Sequence, residues 1–179
     1  MPRTRSPQFP ATAGTPASEN RDKMRPPSLQ GRRLILIDIE NVSGGAIRTL
    51  AEARWTRRML EATLSIGERE QVIVGVDKAG AINTGPVWSS ARIVVGSGAD
   101  GADHALLDVL SNENIAGRFD EVILVSGDGI FTDAVAALGS HEVKVTVVAH
   151  QSQLAKRLQM AASHTVTFTP HRIHTEGAA

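Results

Sequence analysis

Five short runs of β-branched and aliphatic residues constrain this chain most: LILI at 34–37, VIV at 72–74, IVV at 93–95, VILV at 122–125 and VKVTVV at 143–148. All but the last lack polar alternation, so both faces of each strand need covering, which is how parallel strands in an α/β protein read. Between them lie segments with helical spacing at 47–65, 101–113, 129–138 and 151–162. The piece at 80–90 is ambiguous, with Pro86 inside it and Trp88 as a core anchor. The alternation predicts βαβ units with right-handed crossovers, hence a three-layer α/β/α fold on a mostly parallel sheet. Residues 165–168 read as a last strand closing one edge.

The N-terminus breaks this pattern. Up to Arg33 there are seven basic residues against two acidic ones, a balance of +5 in a chain whose 19 basic and 19 acidic residues cancel overall. Its Pro, Ser, Thr, Gln and Arg content cannot bury enough surface to offset ordering entropy. The expected organisation is a disordered basic arm at 1–31, one folded domain at 32–169 and a tail at 170–179. No apolar run is long enough to span a bilayer and the first residues lack a secretory signal's apolar stretch, so the expectation is a soluble, cytoplasmic protein. Self-association is left open. With no cysteine in the chain, disulfides and thiolate metal sites are excluded, and any metal must be held by oxygen or imidazole.

Open parallel sheets bind ligands beyond the carboxyl ends of their strands. Those ends carry Asp38-Ile39-Glu40-Asn41 after LILI, Asp100 and Asp103 after IVV, and Ser126-Gly127-Asp128 after VILV. Asp77 follows the second run in an Asp-Lys-Ala-Gly turn and reads as turn chemistry. Asp128 and Asp100 each suit the N-cap of the helix that follows, and Asp103 the back-reaching position of a capping box. Asp38, directly after four buried aliphatics, needs donors or a cation. At about 100° per residue, Asp103 lies on the side of Leu106, Leu107 and Leu110, facing the sheet, while Asp108 points outward. Asp133 falls on the flank of its helix. Carboxylates converging at one sheet end repel unless a cation neutralises them, and an aspartate set without cysteine or paired histidines selects Mg²⁺ or Mn²⁺. Such a site suits phosphodiester hydrolysis.

Taken in order, Asp38-x-x-Asn41, Gly101-Ala102-Asp103 and Ser126-Gly127-Asp128-Gly129-x-Phe131 resemble the NYN domain group of PIN-like nucleases, over roughly Arg33 to Phe168. The resemblance implies a PIN-like fold, an acidic pocket for Mg²⁺ or Mn²⁺, and metal-dependent cleavage of RNA. By position, Asp38, Asp103 and Asp128 look like the catalytic, metal-binding carboxylates, Asn41 like the polar partner of the first, and Ser126 like a group that orients Asp128. Many members carry a second aspartate where this chain has Ile130. Asp133 and Asp100 are the candidates to replace it, and Asp100 itself stands where a lysine is usual.

Phosphate contacts are expected from cations near the mouth: Arg54, Arg57, Arg58 and Lys78, with Lys156 and Arg157 as further candidates. Four Phe, two Trp and no Tyr argue against an extended base-stacking platform. Two alternatives stand beside the ribonuclease. One is a noncatalytic nucleic-acid-binding or scaffold domain with a degenerate site, for which Ile130 is the argument. The other is a small-molecule phosphohydrolase, disfavoured because position 40 is Glu rather than a second Asp.

Overall fold

The computed structural model describes residues 31–67 and 70–169; the expected arm at 1–31, apart from Gly31, and the expected tail at 170–179 lie outside them. Six strands, β1 (Arg33–Asp38), β2 (Gln71–Asp77), β3 (Arg92–Gly96), β4 (Glu121–Val125), β5 (Lys144–His150) and β6 (His164–Phe168), form one sheet in the order β3-β2-β1-β4-β5-β6. Every adjacent pair is parallel. The expected edge strand at 165–168 is β6.

The absence of alternation in LILI is explained by two cores. Leu34 and Leu36 pack with α4 (Gly101–Asn112), α5 (Ile115–Arg118), α6 (Thr132–Ser140) and α7 (Lys156–Ala161), through Leu106, Val109, Ile115, Val135 and Leu158. Ile35 and Ile37 pack on the other face with α1 (Ile39–Ser43), α2 (Leu50–Thr63) and α3 (Ala81–Val87), through Val42, Ala53, Leu60 and Val87. All four β1 side chains are fully buried, each worth about 1.5–3 kcal/mol of transfer free energy. The chain runs outward from β1 to β2 and β3, returns to β4 on the other side of β1, and continues to β6. Its helices change face at that reversal, as a constant right-handed crossover requires.

Helix limits differ from the expected ones for local reasons. The 47–65 segment begins its helix at Leu50 because Thr49 and Glu52 form a capping box, each satisfying the other's backbone N–H. The ambiguous piece is helical at Ala81–Val87 despite Pro86, and it ends at Trp88, which is buried as expected. Only Lys156–Ala161 of the expected 151–162 helix forms. The residues before it lie over the end of β4 instead, where the Ala155 N–H donates to Gly127 O at 2.9 Å. The segment at 129–138 opens with a 3₁₀ turn at Gly129–Phe131 before α6.

Candidate active site

The order of travel reverses between β1 and β4, the switch point at which open sheets form a crevice. Asp38 ends β1 there and is 2% exposed. Its carboxylate is held from both sides: the Asn41 N–H donates to Oδ1 at 3.1 Å and the Ser126 hydroxyl to Oδ2 at 2.9 Å. Ser126 Oγ in turn accepts from the Asp128 N–H at 3.2 Å, and Asn41 Oδ1 accepts from the Gly127 N–H at 3.0 Å. The Asp-x-x-Asn and Ser-Gly-Asp segments, distant in sequence, are thereby zipped together across β1 and β4. Ser126 acts on the Asp38 carboxylate and on the Asp128 backbone. Asp128 is exposed and caps the 3₁₀ turn, accepting from the Ile130 N–H at 2.8 Å.

Asp103 reaches the same place from α4. The approach depends on two glycines, since a Cβ at Gly96 would lie 1.8 Å from Gly101 O. The end of β3 and the start of α4 therefore touch backbone to backbone, and Asp103 stands half-buried two residues later, while Asp108 is exposed as expected. Asp103 Oδ1 is buried and has no hydrogen-bond partner among the described residues. Burial, then contact with Asp38 and the charges of Asp38, Asp128 and Asp100, push its carboxyl up from 3.8 to about 8.

Asp100 occupies the N-cap position of α4 but does not cap it: its backbone is left-handed at φ 55°, with no side-chain hydrogen bond to the helix. The capping-box expectation for Asp103 fails with it, because tight β3–α4 contact, rather than a cap, sets the start of the helix. Asp133 is exposed on α6 and lines a groove with Ser111, Asn114 and His141; it is not among the charges acting on Asp103. Asp77 serves its turn, accepting from the Gly80 N–H at 2.5 Å.

Glu40 is the acidic residue to which the sequence assigned no role. Its Oε1 accepts from the Asp77 N–H at 2.8 Å, tying α1 to the end of β2. Burial, then the neighbouring carboxylates of Asp77 and Asp38, raise its pKa, offset in part by that backbone hydrogen bond. The signal was present in Asp38-x-Glu40, but only the sheet order sets Glu40 beside Asp77.

The expected cations of α2 are separate from these carboxylates. Arg54, Arg57 and Arg58 line a groove with Leu50, Glu61, Pro86 and Val87 that includes none of the aspartates above. Arg57 is already engaged: it pairs with Glu61 at 2.7 Å, lies 5.5 Å over the Trp88 ring and donates to Val87 O. Lys78 is exposed in the turn after β2.

Among the described residues no three Asp, Glu or His side chains stand close enough together to form a finished cation cage. The donor chemistry fits a hard divalent ion nonetheless. The ligands on offer are oxygens, Asp103 Oδ1 is a buried carboxylate oxygen without a donor, and the burial and neighbouring negative charge that raise its pKa are what a cation would offset. The strand order is the one dinucleotide-binding folds use, but the turn after β1 has carboxylates where those folds need a glycine-rich phosphate loop.

Fold and site together define a three-layer α/β protein with Asp38, Asp103 and Asp128 brought together at the switch of its all-parallel sheet. Residues 88–169 match the family model of the NYN domain, a PIN-like nuclease family, which bears out the resemblance carried by the motifs. The matched stretch contains Asp100, Asp103, Ser126 and Asp128; Asp38 and Asn41 precede it and are joined to it by the sheet. Comparison with curated proteins gives no match. Among solved structures the chain is similar to a protein of unknown function from Vibrio parahaemolyticus, with 22% identity, a TM-score of 0.55 and coverage of 76% of this chain and 91% of that one. That likeness concerns the fold. No helix among the described residues is long and apolar enough to cross a membrane.

Proposed function

We propose that the protein is a metal-dependent ribonuclease that hydrolyses RNA phosphodiester bonds at the pocket formed by Asp38, Asp103 and Asp128, acting in the cytoplasm. The observation that carries this reading is the buried, donorless Oδ1 of Asp103 beside two further carboxylates at a sheet switch point. Asp38, Asp103 and Asp128 would hold Mg²⁺ or Mn²⁺, with Asp100 at the exposed lip and Asp133 as a peripheral candidate. The cation supplies Lewis acidity at the phosphoryl group and neutralises charge that would otherwise repel the substrate.

The chain's own residues do the rest. Ser126 and Asn41 fix the Asp38 carboxylate and the Asp128 turn in register, so little reorganisation is needed when the substrate arrives. Asp103, whose carboxyl is raised to about 8 without a cation, would give up its proton when the ion binds and serve as a ligand. Arg54, Arg58 and Lys78 would contact flanking phosphates.

Ile130, partly buried against the core where many family members place an aspartate, favours a second reading as a noncatalytic RNA-binding domain. Cleavage of a labelled single-stranded RNA in Mn²⁺, Mg²⁺ and EDTA, with Asp38→Asn alongside, separates the two. Metal-dependent products lost in the variant support the nuclease. Retained, salt-sensitive binding without products in any metal supports the other.

A further inference from the structure

Residues 34–179 carry a net charge of −5, and several carboxylates gather at the sheet switch. A polyanion approaching it needs a cation held at the mouth. One stands there. Arg157, in the first turn of α7, lies against the backbone of Gly129, the residue that follows Asp128. A Cβ at position 129 would lie 2.6 Å from Arg157 Nε and 2.9 Å from Nη2. The seat is built: the Ala155 N–H bonds to Gly127 O and fixes where α7 begins, and Leu158, the next residue after Arg157, is fully buried. The side chain is exposed, and the guanidinium makes no hydrogen bond or ion pair with any described residue. Arg57, Arg92 and Arg118, by contrast, are all paired with glutamates.

We infer that Arg157 is the phosphate clamp of this site, its guanidinium binding a backbone phosphate of single-stranded RNA on the Asp128 side of the pocket, and that glycine at 129 keeps open the space in which the guanidinium rests. The planar fork suits two phosphate oxygens at once, which a lysine cannot match. The inference rests on the ribonuclease reading for its substrate, but it concerns binding and is tested without turnover.

The test is fluorescence anisotropy of a short labelled single-stranded RNA against the full-length protein in EDTA, over a series of salt concentrations, for the parent, Arg157→Ala, Arg157→Lys and Gly129→Ala. Thermal melts serve as the fold control. Arg157→Ala is expected to weaken binding about tenfold and to lower the slope of log K against log salt by about 0.7, one phosphate contact on a single strand. Arg157→Lys should keep the slope and lose part of the affinity. Gly129→Ala should weaken binding although the charge remains, because the methyl displaces the guanidinium while the flexible side chain spares the fold. Parent-like affinity and slope in Arg157→Ala overturn the inference and leave the nuclease reading intact. Arg157-dependent binding by a parent that cleaves in no metal upholds the clamp and removes the nuclease. A parent that binds no RNA in EDTA overturns the inference, while the nuclease reading is judged separately by metal-dependent cleavage.

Discussion

Ser126 donates its hydroxyl to Asp38 at 2.9 Å across the junction of β4 and β1, with both side chains buried. Removing that hydroxyl leaves a buried carboxylate oxygen without its donor and the Asp128 N–H without its acceptor. Ser126→Ala should therefore lower unfolding free energy by about 1–3 kcal/mol, more than an average hydrogen bond contributes. Urea denaturation at neutral pH measures it. A change near zero would mean that water replaces the hydroxyl and that the two strand ends are not coupled through it.

Asp103 gives the metal-free protein a pH dependence of definite sign. Its carboxyl titrates near 8 in the folded chain against an ordinary 3.8, so between those values the native state holds a proton that the unfolded chain has released. Stability is highest at the acid end of this window, falls as pH rises from about 4 to about 8, and levels off beyond. Asp103→Asn removes the group and with it this part of the slope, so the variant should gain on the parent steadily up to pH 8. Melting temperatures in EDTA at pH 5 and pH 9 check this. Equal losses for parent and variant over that range would show that Asp103 ionises freely.

The three aspartates were legible in the sequence to different depths. Asp38 and Asp128 were legible because the runs before them lack alternation, which marks strand ends in a parallel sheet, and Asp103 because helical spacing put it on the side of Leu106. The link between them was only partly legible: Ser126 was expected to serve Asp128, whereas its hydroxyl is given to Asp38. Asp100 and the 151–155 loop misled for a common reason. Each looks like a local helix start, but its conformation is set by a distant backbone, Gly96 pressing on Gly101 in one case and Gly127 accepting from Ala155 in the other. Contacts of this kind leave no periodic trace. The resting place of Arg157 over Gly129 is hidden for the same reason, although the arginine itself stood among the candidate cations.

The Gly96–Gly101 contact makes a prediction of its own. A methyl at Gly96 would meet Gly101 O and C at 1.8 and 1.9 Å, and these are backbone atoms that cannot rotate away. Gly96→Ala should force α4 off the sheet end at a cost above the 1–3 kcal/mol usual for overpacking, giving insoluble protein or a strongly lowered melting temperature. Gly139→Ala, where the added methyl meets nothing within 4 Å, is the control and should be tolerated. A stable Gly96→Ala protein would mean that the β3–α4 approach is adjustable.

If the pocket takes a divalent ion, binding must displace the Asp103 proton. Mn²⁺ or Mg²⁺ should then raise the melting temperature in proportion to the logarithm of its concentration, more at pH 8 than at pH 6, with proton release that calorimetry in buffers of differing ionisation enthalpy detects. Asp38→Asn should abolish the effect. A metal-induced shift of equal size at both pH values would place the ion elsewhere.

Asp128 separates structural from chemical roles most cleanly, because it does two things with one side chain. It caps the 3₁₀ turn by accepting from the Ile130 N–H, and it faces solvent beside Asp103, whose pKa its charge helps to raise. Asparagine caps about as well as aspartate, so Asp128→Asn keeps the first role and loses the charge. Its stability in EDTA should match or slightly exceed that of the parent while RNA cleavage disappears. Alanine loses both, and Asp128→Ala should in addition cost about 1 kcal/mol for the lost cap, less the repulsion it relieves. The pair is read by denaturation and by cleavage assays on the same preparations. Full activity in Asp128→Asn would reduce the residue to a cap and move the chemistry to Asp38 and Asp103. Inactivity with parent-like folding would assign to its charge a function that the fold does not need.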